Sequence, residues 1–375
     1  MANNLSTPLR GRKSRNRGKN GKVHLPVARI LLGIILLIAI GVGARLVLVD
    51  DPNGGRPSQE VAIATTRNSN SVANAVATGP ATITADPQQY PAGQTPPASQ
   101  QAAGAALGQT PGAFGALPDL SEQTSNGPIP RMSGTGERPF DAYREPVPAG
   151  VTEKEPKIAL VVSGLGINEQ GSLDAIDQLP EAVTLGFAPY GRSLETTVSA
   201  ARVRGHEVVL ELPLEPFDYP QNDPGPHTLL TGDAPRANLE KLFWLMARFG
   251  GYIGVMNNMG ARFTAAAADF APVMEELGAR GLGYVDDGSS NRSVAAQLAG
   301  ANKVPFARAS MAIDTDPSKD AILAALASLE AEALQTGSAI GIVSALPISI
   351  QTVTDWSADL GDKGIALVPV SALMK

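Results

Sequence analysis

Pro156-Lys-Ile-Ala-Leu-Val-Val-Ser-Gly-Leu-Gly166 is the stretch whose reading decides the fold. Residues 158–162 are all apolar and run directly into a turn of small residues. An apolar run without polar alternation describes a strand covered on both faces, the mark of a parallel sheet. Similar runs recur at 183–187, 208–212, 252–256, 282–285, 305–307, 340–343 and 365–368. Amphipathic stretches lie between them, near 169–179, 192–204, 235–249, 267–280, 292–300 and 350–361. A further helix reads from Asp316 as N-cap and Pro317 as first turn to Gly337 as the stop, with Ile322, Leu326 and Leu329 facing inward. Strands alternating with helices predict an α/β domain over residues 156–375. The expected architecture is a (β/α) barrel of about seven to eight parallel strands, with a doubly wound open sheet as the alternative.

Working outward from this body, the composition changes sharply. Residues 50–155 are rich in Pro, Gly, Ala and Ser and hold only four aromatics: Tyr90, Phe114, Phe140 and Tyr143. So little apolar surface predicts a disordered linker, with a coil reach of about 55–60 Å. Residues 30–49 are apolar except for Arg45. A helix of that length spans roughly 30 Å, enough to cross a bilayer core. Residues 1–29 carry eight Lys or Arg and no acid. The positive-inside rule then predicts a single-pass inner-membrane anchor, with a cytoplasmic N-terminus and a periplasmic body. A cleaved signal peptide is the alternative, although Arg45-Leu-Val-Leu-Val-Asp50 offers no small-x-small cleavage site.

The charge balance excludes some function classes. The body carries fifteen bases against twenty-five acids, so no nucleic-acid partner is expected. The absence of Cys excludes a thiol nucleophile, a thiolate metal site and a disulfide framework.

In α/β folds the chemistry sits where parallel strands end. The first strand ends at Ser163 and Gly164, and the third at Glu211, followed by Glu215 in a Pro-rich loop. His227 lies downstream, while His206 precedes the third strand and is expected at the opposite end. The fourth strand ends at Asn257 and Asn258, with Arg262 after them. Asp286 and Asp287 end the fifth; Asp314 follows the sixth, and Ser344 ends the seventh. Asp286 or Asp287 could act as general base, with Arg262 steadying an oxyanion; capping of a turn is the plainer use of such acids. Ser163, Gly164, Glu211, Glu215, His227, Asn257, Asn258, Asp314 and Ser344 are the expected substrate contacts. No metal ligand set is read from the residues.

Taken in order, these pieces resemble the divergent polysaccharide deacetylase family over about residues 156–375. The resemblance rests on the opening through Leu165-Gly166, on Glu207-Val-Val-Leu-Glu-Leu-Pro213-Leu-Glu215-Pro216, and on Pro224-Gly-Pro-His-Thr-Leu229. Asn257-x-Met259-Gly260, Val285-Asp286 and Pro347 before a helix complete it. It implies a (β/α) barrel and a divalent metal, zinc, held by an acid and histidines to activate water against an acetyl carbonyl. The matched positions carry Ser163 and Gly164 where the family has two Asp, and Asn258 and Ser344 where it has His. The expected function is therefore binding or deacetylation of cell-envelope polysaccharide, with no cofactor. A non-catalytic module that docks a protein partner is the alternative.

Overall fold

The computed structural model describes residues 116–375. The tail 1–29, the apolar run 30–49 and residues 50–115 lie outside the described residues. Among the described residues no helix is long and apolar enough to cross a membrane.

A single 3-10 turn (Pro118–Leu120) comes first, then a hairpin of β1 (Ser121–Thr124) and β2 (Gly127–Pro130) and a short helix, α1 (Pro139–Tyr143). The alternating part runs β3 (Lys157–Leu165), α2 (Glu169–Gln178), β4 (Thr184–Phe187), α3 (Leu194–Val203), β5 (Val208–Leu214), α4 (Pro235–Met246). It continues β6 (Gly254–Met259), α5 (Ala267–Arg280), β7 (Gly283–Asp286), α6 (Ala295–Asn302), β8 (Phe306–Arg308), β9 (Met311–Ala312). It closes with α7 (Lys319–Thr336), β10 (Ser338–Ser344), α8 (Pro347–Ser357) and β11 (Ala366–Leu367).

The large sheet is parallel throughout, in the order β8-β7-β6-β5-β4-β3-β10-β9, with β11 also beside β3. Its two end strands are neighbours in the chain. The Ala309 amide donates to the Asp286 carbonyl on the β7 side, and the next amide, of Ser310, donates to the Ile340 carbonyl on the β10 side. The sheet is thus curled until one short stretch touches both edges, which is consistent with a (β/α) barrel. An open doubly wound sheet keeps its edges apart, so that alternative does not describe this chain.

The two sheet faces bury different clusters. Leu160, Val162, Leu185, Leu210, Leu212 and Val255 pack with helix residues such as Ile176, Val198, Leu242 and Leu329. Alternate residues, among them Ala159, Val161, Val209, Met256, Val285 and Ile340, form a second cluster on the inner face. That cluster is completed by Leu117, Leu120, Phe140 and Tyr143, from the segment ahead of the first expected strand.

Each of the eight sequence-predicted strands is present within a few residues. The short β9 and the β1–β2 hairpin were not foreseen. The expected disorder of residues 50–155 does not hold over 116–155, where the hairpin and α1 are ordered and Leu117 and Leu120 are fully buried. The segment is held by non-local contacts: the Leu117 amide donates to the Tyr143 hydroxyl, and Arg280 reaches the Pro130 carbonyl at 2.7 Å. Helix α7 begins at Lys319 with Ser318 as N-cap, later than Asp316 suggested, and ends as expected at Gly337, whose φ of 90° only glycine adopts readily. Helix α8 begins three residues earlier than the pattern near 350 suggested, with Pro347 in its first turn.

Candidate functional site at the strand ends

Strand parity sorts the polar residues at the carboxyl ends. On β5 Val209 faces inward, so Glu211, two residues on, does too; on β6 the same rule takes Met256 to Asn258. These two side chains meet: Asn258 Nδ2 donates to Glu211 Oε2 at 2.9 Å. The third partner comes from β3, whose register with β4 shifts between Val162 and Leu165. Gly164 has a φ of 86° within that irregularity, and its amide donates to Glu211 Oε1 at 2.5 Å. Gly186 on β4 leaves room for this carboxyl, because a Cβ there would stand 3.1 Å from Oε1 and 3.2 Å from the Val162 carbonyl oxygen. The substitution Gly186→Ala is therefore expected to cost about 1–3 kcal/mol by overpacking, read as a fall in the urea midpoint. A neutral result would mean that Glu211 has room to move.

Glu211 is fully buried. Burial pushes its carboxyl up from the usual range, against the opposing pull of the Gly164 and Asn258 donors. Tyr190, after β4, donates its hydroxyl to the Pro226 carbonyl, and burial raises its phenol with smaller contributions from Asp223 and Glu211.

A second carboxyl organises the neighbouring strand ends. Asp314 Oδ2 accepts from the Ser344 amide at 2.9 Å and from Ser349 Oγ at 2.6 Å, and Oδ1 accepts from Ser344 Oγ at 3.2 Å. Ser344 pairs in register with Ser163, whose hydroxyl donates to the Val343 carbonyl.

The remaining expected residues lie apart from this pair of carboxyls. Asn257, of opposite parity to Asn258, accepts at Oδ1 from the Tyr284 hydroxyl and the Asp287 amide. Asp286 is buried; its Oδ1 caps the Gly288 amide, while Oδ2 has no hydrogen-bond partner and stands 3.8 Å from Arg308. Burial raises the Asp287 carboxyl, opposed by hydrogen bonds to Ser289 and Asn257. Arg262 pairs with Glu215 at 3.1 Å, and Glu215 also takes the Thr231 amide and hydroxyl, so this pair braces the loop after β5. His227 stacks on Trp244 of α4 with ring centroids 3.8 Å apart. His206 sits, as expected, at the opposite end, with each ring nitrogen against a backbone carbonyl. Sequence reasoning missed Gly186, Tyr190, Ser349 and Arg308; for Gly186 a glycine inside an apolar strand run was the available signal.

Beside Gly164 a cavity of about 290 Å³ opens between α2 and α8. Asn168, Asp174, Gln178 and Gln351 supply its polar lining, and Ala175, Pro347 and Ile350 its apolar side.

A profile of the divergent polysaccharide deacetylase family matches residues 160–374. This chain belongs to that family. Among solved structures, the uncharacterized protein ATU2773 from Agrobacterium tumefaciens C58 is 42% identical, with 66% of this chain and 99% of that chain covered and a TM-score of 0.64. The catalytic domain of peptidoglycan N-acetylglucosamine deacetylase from Eubacterium rectale is also similar, at 15% identity, with 58% of this chain and 90% of that chain covered and a TM-score of 0.39. No curated protein matches the chain.

The family resemblance implies zinc, and the side chains at the matched positions do not fit it. Gly164 has no side chain, Asn258 presents an amide N–H, and the Ser163 and Ser344 hydroxyls donate to protein oxygens. Zinc takes imidazole, carboxylate or thiolate ligands. Among the described residues no group of three or more His, Cys, Asp or Glu is placed to hold a metal ion.

Proposed function

We propose that this family member binds cell-envelope polysaccharide in the cavity between α2 and α8, which opens beside the β3 strand end at Gly164, from a body tethered to the inner membrane by residues 30–49. Recognition without metal-assisted hydrolysis is the favoured activity. The observation that carries this reading is the lining of the α2–α8 cavity, next to Gly164, by neutral amides, one carboxylate and apolar residues. Amide and carboxylate side chains exchange hydrogen bonds with sugar hydroxyls, and apolar residues accept the C–H face of a ring. The Gln178 side chain makes no hydrogen bond within the described residues, nor does Nδ2 of Asn168, so both are available to a ligand.

The test is direct binding of the full chain to peptidoglycan fragments and acetylated polysaccharides by calorimetry. Binding is expected, and Gln178→Leu with Gln351→Leu should weaken it by about tenfold, since each hydrogen bond contributes about 0.5–1.5 kcal/mol. Absence of binding across such a panel, or binding indifferent to both substitutions, would sink the reading. Steady acetate release by the full chain would replace recognition with hydrolysis.

One observation favours the protein-docking alternative. Ile167, Leu346 and Ile348, which flank the cavity in sequence, are 60%, 41% and 40% exposed. Crosslinking from Ile348 in the intact envelope separates the readings: a single discrete protein adduct supports docking, and none supports the glycan.

A further inference from the structure

The family's implied centre is a cation surrounded by lone pairs. The corresponding side chains and backbone of this chain have the opposite polarity. At two of the matched positions, Gly164 and Asn258, the group presented is an N–H, and both N–H groups point at one carboxyl, Glu211. At a third, Ser344, both the amide and the hydroxyl donate to Asp314, joined by the hydroxyl of Ser349. Five donors thus converge on two carboxyls that are nearly or wholly buried. The nearby arginines are engaged elsewhere, Arg262 with Glu215 and Arg308 beside Asp286. Donors aimed inward repel a cation and hold an acceptor.

We propose that the centre of this barrel is inverted: Glu211 and Asp314 occupy the role of the cation, as acceptors that tie the strand ends together, and the centre holds no metal. Glu211 joins β5 to the irregular turn of β3 through Gly164 and to β6 through Asn258. Asp314 joins β10 to the start of α8. Glu211 is then a positioning residue, which sets where the Gly164 turn sits against the α2–α8 cavity. Space for it exists because Gly186 has no side chain, its would-be Cβ lying 3.1 Å from Oε1. What Glu211 contributes is acceptor geometry and not negative charge. A glutamine can reproduce it: its oxygen accepts from Gly164, and its nitrogen donates to Asn258 once that amide is turned over. This centre belongs to the site read above as the glycan site, but its test uses no glycan, so the two can fail separately.

The full chain, Glu211→Gln and Glu211→Leu are to be compared by metal content after desalting from zinc and by thermal unfolding with zinc or with a chelator. The unaltered chain should retain no stoichiometric zinc, and its unfolding midpoint should be the same in both solutions. Glu211→Gln should keep that midpoint, and Glu211→Leu should lower it by several degrees or fail to fold. Stoichiometric zinc in the unaltered chain that is lost in Glu211→Gln would overturn the proposal, because Glu211 would then be a ligand. Equal damage from Gln and Leu would also overturn it, because charge and not acceptor geometry would be at work. An unchanged midpoint in Glu211→Leu would remove the organising role.

Discussion

A fragment that begins at Pro156 is expected not to fold, whereas one that begins at Ala116 is expected to unfold cooperatively. Four side chains ahead of Pro156 belong to the inner cluster: Leu117 and Leu120 are fully buried, Tyr143 is 1% exposed and Phe140 is 5% exposed. Burying each contributes about 1.5–3 kcal/mol, hence on the order of 6–12 kcal/mol for the four, as an upper bound. Domain stabilities are about 5–15 kcal/mol, so the loss is comparable to the whole. The segment also brings Glu145 to Arg202 at 3.1 Å, and Glu122 to Arg280 at 2.8 Å. Urea unfolding followed by circular dichroism distinguishes the fragments. A cooperative transition in 156–375 at the midpoint of 116–375 would refute this inner packing.

Arg202→Met should lower stability by roughly 3–5 kcal/mol, the usual effect of removing one partner from buried charges. For a body of this size that corresponds to a fall on the order of 10 °C in Tm. Arg202 is 1% exposed, and its Nη1 donates to the His206 carbonyl at 2.9 Å. Its Nη2 is an ion partner of Glu145 at 3.1 Å, and Nε has no acceptor. Burial lowers the Arg202 pKa while Glu145 and Glu207 pull it up. Without the guanidinium, Glu207 stays fully buried with only neutral donors from Thr184, Ser371 and the Glu145 amide. Burial already raises its carboxyl. Adding Glu145→Gln to Arg202→Met should restore part of the loss. A single substitution costing less than about 1 kcal/mol would show that the cluster is solvated, like a surface pair.

Much of the barrel was legible in advance. Runs such as Ile158 to Val162 and Val208 to Leu212 are buried on both faces, so their composition alone reports a parallel sheet. The Gly337 stop was legible because a helix end in the left-handed region has a local chemical requirement. The 116–145 segment was not. Its apolar residues are few and scattered, and they are buried by strands that lie far along the chain. Local composition measures what a segment can bury by itself, and this one borrows its partner.

The candidate site divides in the same way. The sequence by itself determined which residues stand at the strand ends, Ser163, Glu211, Asn258, Asp314 and Ser344 among them, because strand order and length follow from the apolar period. It also determined that Ser163, Gly164, Asn258 and Ser344, at the family's metal positions, offer no imidazole, carboxylate or thiolate. Only the tertiary structure decided that Glu211 and Asn258 meet on the inner face of the curled sheet, that Asn257 engages Tyr284 and Asp287 instead, and that His227 stacks away on Trp244. Direction at a strand end depends on register shifts such as the one at Gly164, and on which loop a distant strand brings alongside. Those are properties of the curled sheet, set by pairings between segments dozens of residues apart, and no local pattern encodes them.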